Sequence, residues 1–188
     1  EKERSRTLVT RKGAAMVLEF DIAADRPQVW EYFTLPGQRP KWRGADEVRE
    51  TVEGGRRGVG TTNHCMHGPH AIIEEVLDWR PFDYLTLTTL VPMPRAPKVL
   101  MSYVFSSTED GGTHVEIRIA KPKPRDRAFL DQVGGDFRKT ITAEVATLGH
   151  QGARRRATVG VDRADRPHGR QDLLGDRGQS LGVHDLDD

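Results

Sequence analysis

The sequence predicts an α+β domain: a curved, seven-stranded antiparallel sheet wrapped around one long C-terminal helix, with two short helices after the first strand. Three observations carry that expectation. Short runs of alternating apolar and polar residues recur between turn residues from Val17 to Ala120. No helical pattern interrupts the last six of these runs, so consecutive strands join as an antiparallel meander. Finally, an apolar stripe at intervals of three or four fills Arg125–Leu148.

Each element has its own signal. Leu18, Phe20 and Ile22 alternate with Glu19 and Asp21, a half-buried strand. Asp25 then supplies an N-cap, with Pro27 in the first turn. Val29, Trp30 and Phe33 follow at helical spacing until Pro36-Gly37, and a second short helix over Pro40–Ala45 carries Trp42. Six strands are read over Glu47–Val52, Val59–His67, Ala71–Trp79, Tyr84–Val91, Val99–Ser106 and Thr113–Ala120. Gly54-Gly55, Gly68-Pro69, Pro81, Pro92–Pro97 and Asp110-Gly111-Gly112 separate them. In the long helix Phe129, Val133, Phe137, Ile141, Val145 and Leu148 form the stripe, and Gly134-Gly135 marks a bend or a close approach. A sheet with one apolar face needs cover, and this helix is long enough to supply it. Helix and curved sheet do not interdigitate along their whole length, so a cavity is expected between them.

Composition sets the boundaries. The 188 residues suit about one domain. Residues 1–15 form a charged N-terminal segment or linker, 16–150 the domain, and 151–188 an Arg/Asp/Gly-rich tail. The tail holds seven Arg and seven Asp but no Ile, Phe, Tyr or Trp, so it reads as a disordered appendage. The same composition is what a GC-rich gene yields when read out of frame. A net charge of +1, from 29 Lys+Arg against 28 Asp+Glu, gives no field of one sign and argues against nucleic acid as a partner. A lone Cys65 excludes an internal disulfide framework and fits a reducing, cytoplasmic setting. No apolar run reaches the ~20 residues of a membrane span.

The stretch Phe20-Asp21-Ile22-Ala23-Ala24-Asp25-Arg26-Pro27-Gln28-Val29-Trp30 carries a family resemblance, as do Trp42, Gly58-Val59-Gly60-Thr61, Glu75–Pro81 and Tyr84-Leu85-Thr86-Leu87. In that order and spacing they resemble the START/Bet v 1-like (SRPBCC) superfamily, the helix-grip fold, in its polyketide cyclase/dehydrase-like branch. The likeness spans about Met16 to Gly149. It implies a hydrophobic pocket under the long helix that holds a lipophilic or aromatic small molecule. No cofactor is expected. The role expected first is carriage, sequestration or sensing. The alternatives are a cyclase/dehydrase-type enzyme with a pocket histidine as acid/base, and a co-chaperone-like interaction protein.

The densest polar cluster is Asn63-His64-Cys65-Met66-His67-Gly68-Pro69-His70. Its spacing argues against a metal, because Cys65 and His67 share one strand face and His64 takes the other. Ordinary strand and turn histidines are the simplest reading. A Cys65–His67 nucleophilic dyad is loose, since same-face neighbours lie ~6.5–7 Å apart along a strand. Asn63, Cys65 and His67 remain as polar anchors facing inward, with His67 the best candidate for acid–base work. Met101, Tyr103 and Phe105 share an inward face of their strand. Phe33 and Trp42 are core residues by type and gate residues by the resemblance. Phe129, Val133 and Phe137 would form the helix wall of the pocket. Glu74 and Glu75 are adjacent on a strand and point to opposite faces, which leaves no carboxylate pair.

Overall fold

Turn chemistry sets the sheet, because each glycine- or proline-marked connection returns the chain antiparallel beside the strand it has just left. The computed structural model describes residues 7–164, with side chains as far as Leu148 except Glu53, Leu130 and Val133. Its elements are β1 (Ala14–Ile22), α1 (Arg26–Thr34), α2 (Pro40–Arg43), β2 (Glu47–Thr51), β3 (Thr62–His67), β4 (His70–Arg80), β5 (Tyr84–Leu90), β6 (Val99–Ser107), β7 (Thr113–Ala120) and α3 (Arg127–Ala164). The seven strands form one curved antiparallel sheet in the order β1-β7-β6-β5-β4-β3-β2. Strands β2 to β7 run as the expected meander, and β1 closes against β7, pairing Leu18 with Ile117 and Phe20 with Val115.

Local residue chemistry sets the ends of the helices and strands. Asp25 accepts a hydrogen bond from the Gln28 backbone N–H at 2.9 Å, capping α1. Gly44, at φ 63°, ends α2 in the left-handed region that favours glycine. The strand read from Val59 starts only at Thr62. Val59 is 69% exposed in the preceding turn, beside Gly60 at φ 89°, a conformation that cannot continue a strand.

Residues 7–13 act as more than a charged linker. Ser102 Oγ accepts from the Val9 backbone N–H at 3.0 Å, and Arg118 Nη1 donates to the Val9 carbonyl at 3.3 Å. Val9 is buried by this strap on the outer sheet face, as are Thr86 and Ser102, whose hydroxyls bond each other at 2.8 Å. Helix α3 covers the inner face, where Ile141, Val145 and Leu148 are buried. Its backbone continues to Ala164, fourteen residues into the stretch that composition set apart from Gln151, where Ala153, Ala157 and the Arg154–Arg156 run are good helix formers. The rest of that tail lies outside the described residues.

Candidate functional site

The inner face divides into three zones: an aromatic wedge, an ionic layer and a cavity.

The wedge forms where α1 and α2 cross β6. Phe33 stacks within 4.7 Å of Trp42, 5.1 Å of Tyr103 and 5.3 Å of Phe105, ring centre to ring centre, and Trp30 adds Phe105 at 5.6 Å and Trp79 at 5.0 Å. Tilted and edge-on rings at these separations fill space efficiently. The indole N–H of Trp42 donates to the Tyr32 carbonyl at 2.8 Å, which fixes it inward. Phe33, Trp42, Met101, Tyr103 and Phe105, expected to line the pocket, are thus packed against one another with at most 3% exposure. Burial pushes the Tyr103 phenol up to about 12, and among the described residues its hydroxyl finds only the Met101 sulfur, at 3.3 Å.

The ionic layer was missed in the sequence. Glu74 on β4 is fully buried, and its two carboxylate oxygens accept from Arg39 Nη2 and from Arg43 Nη2, the latter at 3.0 Å. Arg43 Nη1 reaches on to Glu144 of α3 at 3.0 Å, so one guanidinium ties sheet, α2 and α3 together. Burial alone would raise the Glu74 pKa, but the two adjacent guanidiniums and their hydrogen bonds outweigh it and hold the carboxyl below its ordinary range. A signal was present. Glu74 stands between Ile72 and Val76 on the apolar face of β4, and a carboxylate there demands cations. Arg39 and Arg43 lie four apart around Trp42, the spacing of one helix face.

The third zone is open. Below the N-terminal half of α3 lies a cavity of about 190 Å³. Its floor is Thr89 of β5, Val99 of β6 and Ile119 of β7, its side wall Met16 of β1, and its roof Phe129, Gly134 and Phe137 of α3. The cause is local. The Ile141–Leu148 stretch of α3 is drawn down onto the core, whereas Gly134, nearer its N-terminus, offers no side chain at the point where α3 passes Met16. A Cβ on Gly134 would meet only the Met16 methyl, at 3.9 Å. The Thr89 hydroxyl is buried on the cavity floor with no hydrogen-bond partner among the described residues, an expensive arrangement for a dry protein. Asp131 is the ionisable side chain in this wall.

Of the residues expected in the pocket, Phe129 and Phe137 line this cavity. The Val133 side chain lies outside the described residues. Asn63 and Cys65 face inward but lie further along the sheet. Cys65 packs with Ala45, Val48 and Ile72 in a small cluster of its own. Burial raises its thiol pKa, with Glu74 adding to the effect, so the sulfur is held protonated rather than poised as a nucleophile. His67 pairs with His70 at the β3–β4 hairpin, away from the cavity wall. His64, Cys65, His67 and His70 do not converge on a metal-sized site among the described residues. One such group exists on the outer face, where Glu19, His114 and Glu116 place ligand atoms within 4.8 Å of one another. Arg11 already ion-pairs with both glutamates there.

The polyketide cyclase / dehydrase and lipid transport family matches residues 14–156, from the first residue of β1 into α3. The chain belongs to that family. Solved structures agree on the fold. Protein Ms6760 from Mycobacterium smegmatis superposes with a TM-score of 0.58 at 13% identity, over 78% of this chain and 95% of that one. MLL2253 from Mesorhizobium loti gives 0.55 at 16% identity, over 72% and 96%. CalU16 from Micromonospora echinospora gives 0.52 at 18%, over 79% and 84%. At such identities the likeness establishes the architecture of this family member and leaves its ligand open. No curated protein matches the sequence.

Proposed function

We propose that the chain binds a small, largely apolar molecule in the cavity beneath the N-terminal half of α3, as a carrier, sequestering protein or sensor. The observation that carries the reading is the unpartnered Thr89 hydroxyl on the floor of a cavity whose lining is apolar apart from it and Asp131. A group that costs about 1–3 kcal/mol unpaired is explained if a ligand pairs with it. At about 190 Å³ the cavity falls below the roughly 300–1,000 Å³ of drug-sized sites, so it suits one ring or a short chain. Phe33, Trp42, Met101, Tyr103 and Phe105 then serve as a rigid backing.

Titration with a neutral naphthylamine fluorophore tests this. Saturable binding at one site is expected in the parent chain, and its loss in Gly134→Phe, whose ring fills the space beside Met16. Equal binding in the two proteins would refute it.

A cyclase-type reading has one supporting observation: Asp131 places a carboxylate in the cavity wall. Acid–base chemistry would then fall to Asp131 rather than to His67, and Asp131→Asn would abolish turnover of a polyketide-like substrate while leaving its binding intact.

A further inference from the structure

A second and larger hollow, about 610 Å³, adjoins the apolar cavity and shares Val99, Ala120 and Pro122 with it. Its character is different. Arg95, Lys98, Lys121, Lys123 and Arg125 line it, against the single acid Asp126. Lys98 is engaged by Glu75 at 3.3 Å and Arg125 by Asp126 at 3.6 Å. Arg95, Lys121 and Lys123 have no ion-pair partner among the described residues. In a chain whose net charge is +1, three unmatched cations around one hollow are a local concentration of charge, not a reflection of overall composition.

The turn that carries Arg95 gives an independent reason. Met93-Pro94-Arg95-Ala96 closes with the Ala96 N–H donating to the Met93 carbonyl at 3.1 Å, and Arg95 sits at φ 62°. Proline second and a left-handed third residue make this a type II turn, whose third position ordinarily takes glycine or asparagine. An arginine there is held in a disfavoured conformation at the lip of the basic hollow.

We infer that the molecule bound under α3 is an amphiphile with an anionic group: its apolar part enters the cavity beside Met16 and Thr89, and its acidic head rests in the vestibule of Arg95, Lys121 and Lys123. This rests on the cavity-binding reading and adds the charge and orientation of the ligand. The small apolar volume fits it, since a ligand wholly enclosed there would be tiny, whereas one that continues past Val99 and Pro122 gains the larger hollow. The partner is a single small molecule and not a membrane surface, because the cations line a concave hollow leading into an apolar cavity.

Calorimetric titration of the full chain with octanoate and with 1-octanol separates these possibilities. Octanoate is expected to bind about tenfold more tightly than the alcohol, the worth of two or three partly exposed charge contacts. The preference should fall towards unity in Lys121→Gln/Lys123→Gln and in about 0.5 M salt, while the affinity for octanol stays unchanged. Both substitutions are at exposed positions and leave the core alone. Equal affinities for acid and alcohol would overturn the anionic head and leave the cavity standing. Binding of neither would overturn both readings. Binding to phosphatidylglycerol vesicles without binding of monomeric octanoate would overturn the small-molecule assignment in favour of a membrane surface.

Discussion

Glu74 and Thr89 face each other across β4 and β5 and represent opposite ways of burying a polar group. Glu74 is satisfied by two guanidiniums, and Thr89 by nothing among the described residues. Opposite consequences follow. Glu74→Gln leaves Arg39 buried without its counter-charge and Arg43 with Glu144 alone, and a loss of about 3–5 kcal/mol in chemical denaturation is expected. Thr89→Val keeps the shape and removes the orphan hydroxyl, so stability should rise by about 1 kcal/mol while affinity for a hydrogen-bonding ligand falls. An unchanged midpoint in Thr89→Val would show that the hydroxyl is already paired. Residue roles were the least legible part of the sequence. Alternation put Asn63, Cys65, Met101, Tyr103 and Phe105 on the inner face, yet it could not show that the rings of β6 would meet those of α1 and α2 and close that end. Clustering draws attention to the histidines around Cys65, whereas the decisive polar groups are Glu74, on the apolar face of β4, and two arginines outside the expected site.

At the scale of elements, α3 grips the sheet over Ile141–Leu148 and stands off over its first turns, from Phe129 to Phe137. The stripe from Phe129 to Leu148 was legible because helical periodicity survives whether a residue is fully or half buried. What periodicity hides is how deep each position sinks. Ile141, Val145 and Leu148 are buried, while Phe129 and Phe137 remain partly exposed as the cavity roof. Gly134 is the switch between the two stretches. Gly134→Ala should stabilise the protein by up to about 1 kcal/mol, since alanine favours helix and its methyl meets only the Met16 methyl at 3.9 Å. Destabilisation by this change in thermal melts would mean that α3 lies closer to β1 than described. The strap of residues 7–13 was not legible, because its charged residues face water and its anchoring is through the backbone of Val9 rather than through an apolar pattern.

For the whole molecule, the three zones make a clamp closed at the α2 end and open at the other, and the buried charges set its pH limits. The Glu74 pKa is depressed in the folded state, so its contribution to stability is complete above the ordinary glutamate range and is lost as pH falls through the depressed value. Glu144 opposes this in part, because burial leaves its pKa raised despite Arg43. Tyr103 sets the alkaline limit. Its pKa is raised from 10.0 to about 12, so its contribution is intact below pH 10 and lost as pH climbs towards 12. Tyr103→Phe, which gives up only a weak bond to the Met101 sulfur, should shift base-induced unfolding to higher pH, and an unshifted transition would place the cause elsewhere. Fold, family and meander order were all legible at this scale, since they depend on the sum of many weak signals and not on any one rotamer. The location of the void was not, because it is the difference between two packed surfaces. That location is also what most needs testing, and the four methionines report on it. In a spectrum of the methionine methyl groups, a neutral naphthylamine probe should move the Met16 signal at the cavity wall and leave Met101, buried in the core, in place. A shift of Met101 with Met16 unmoved would put the ligand among the rings of the wedge and contradict the account.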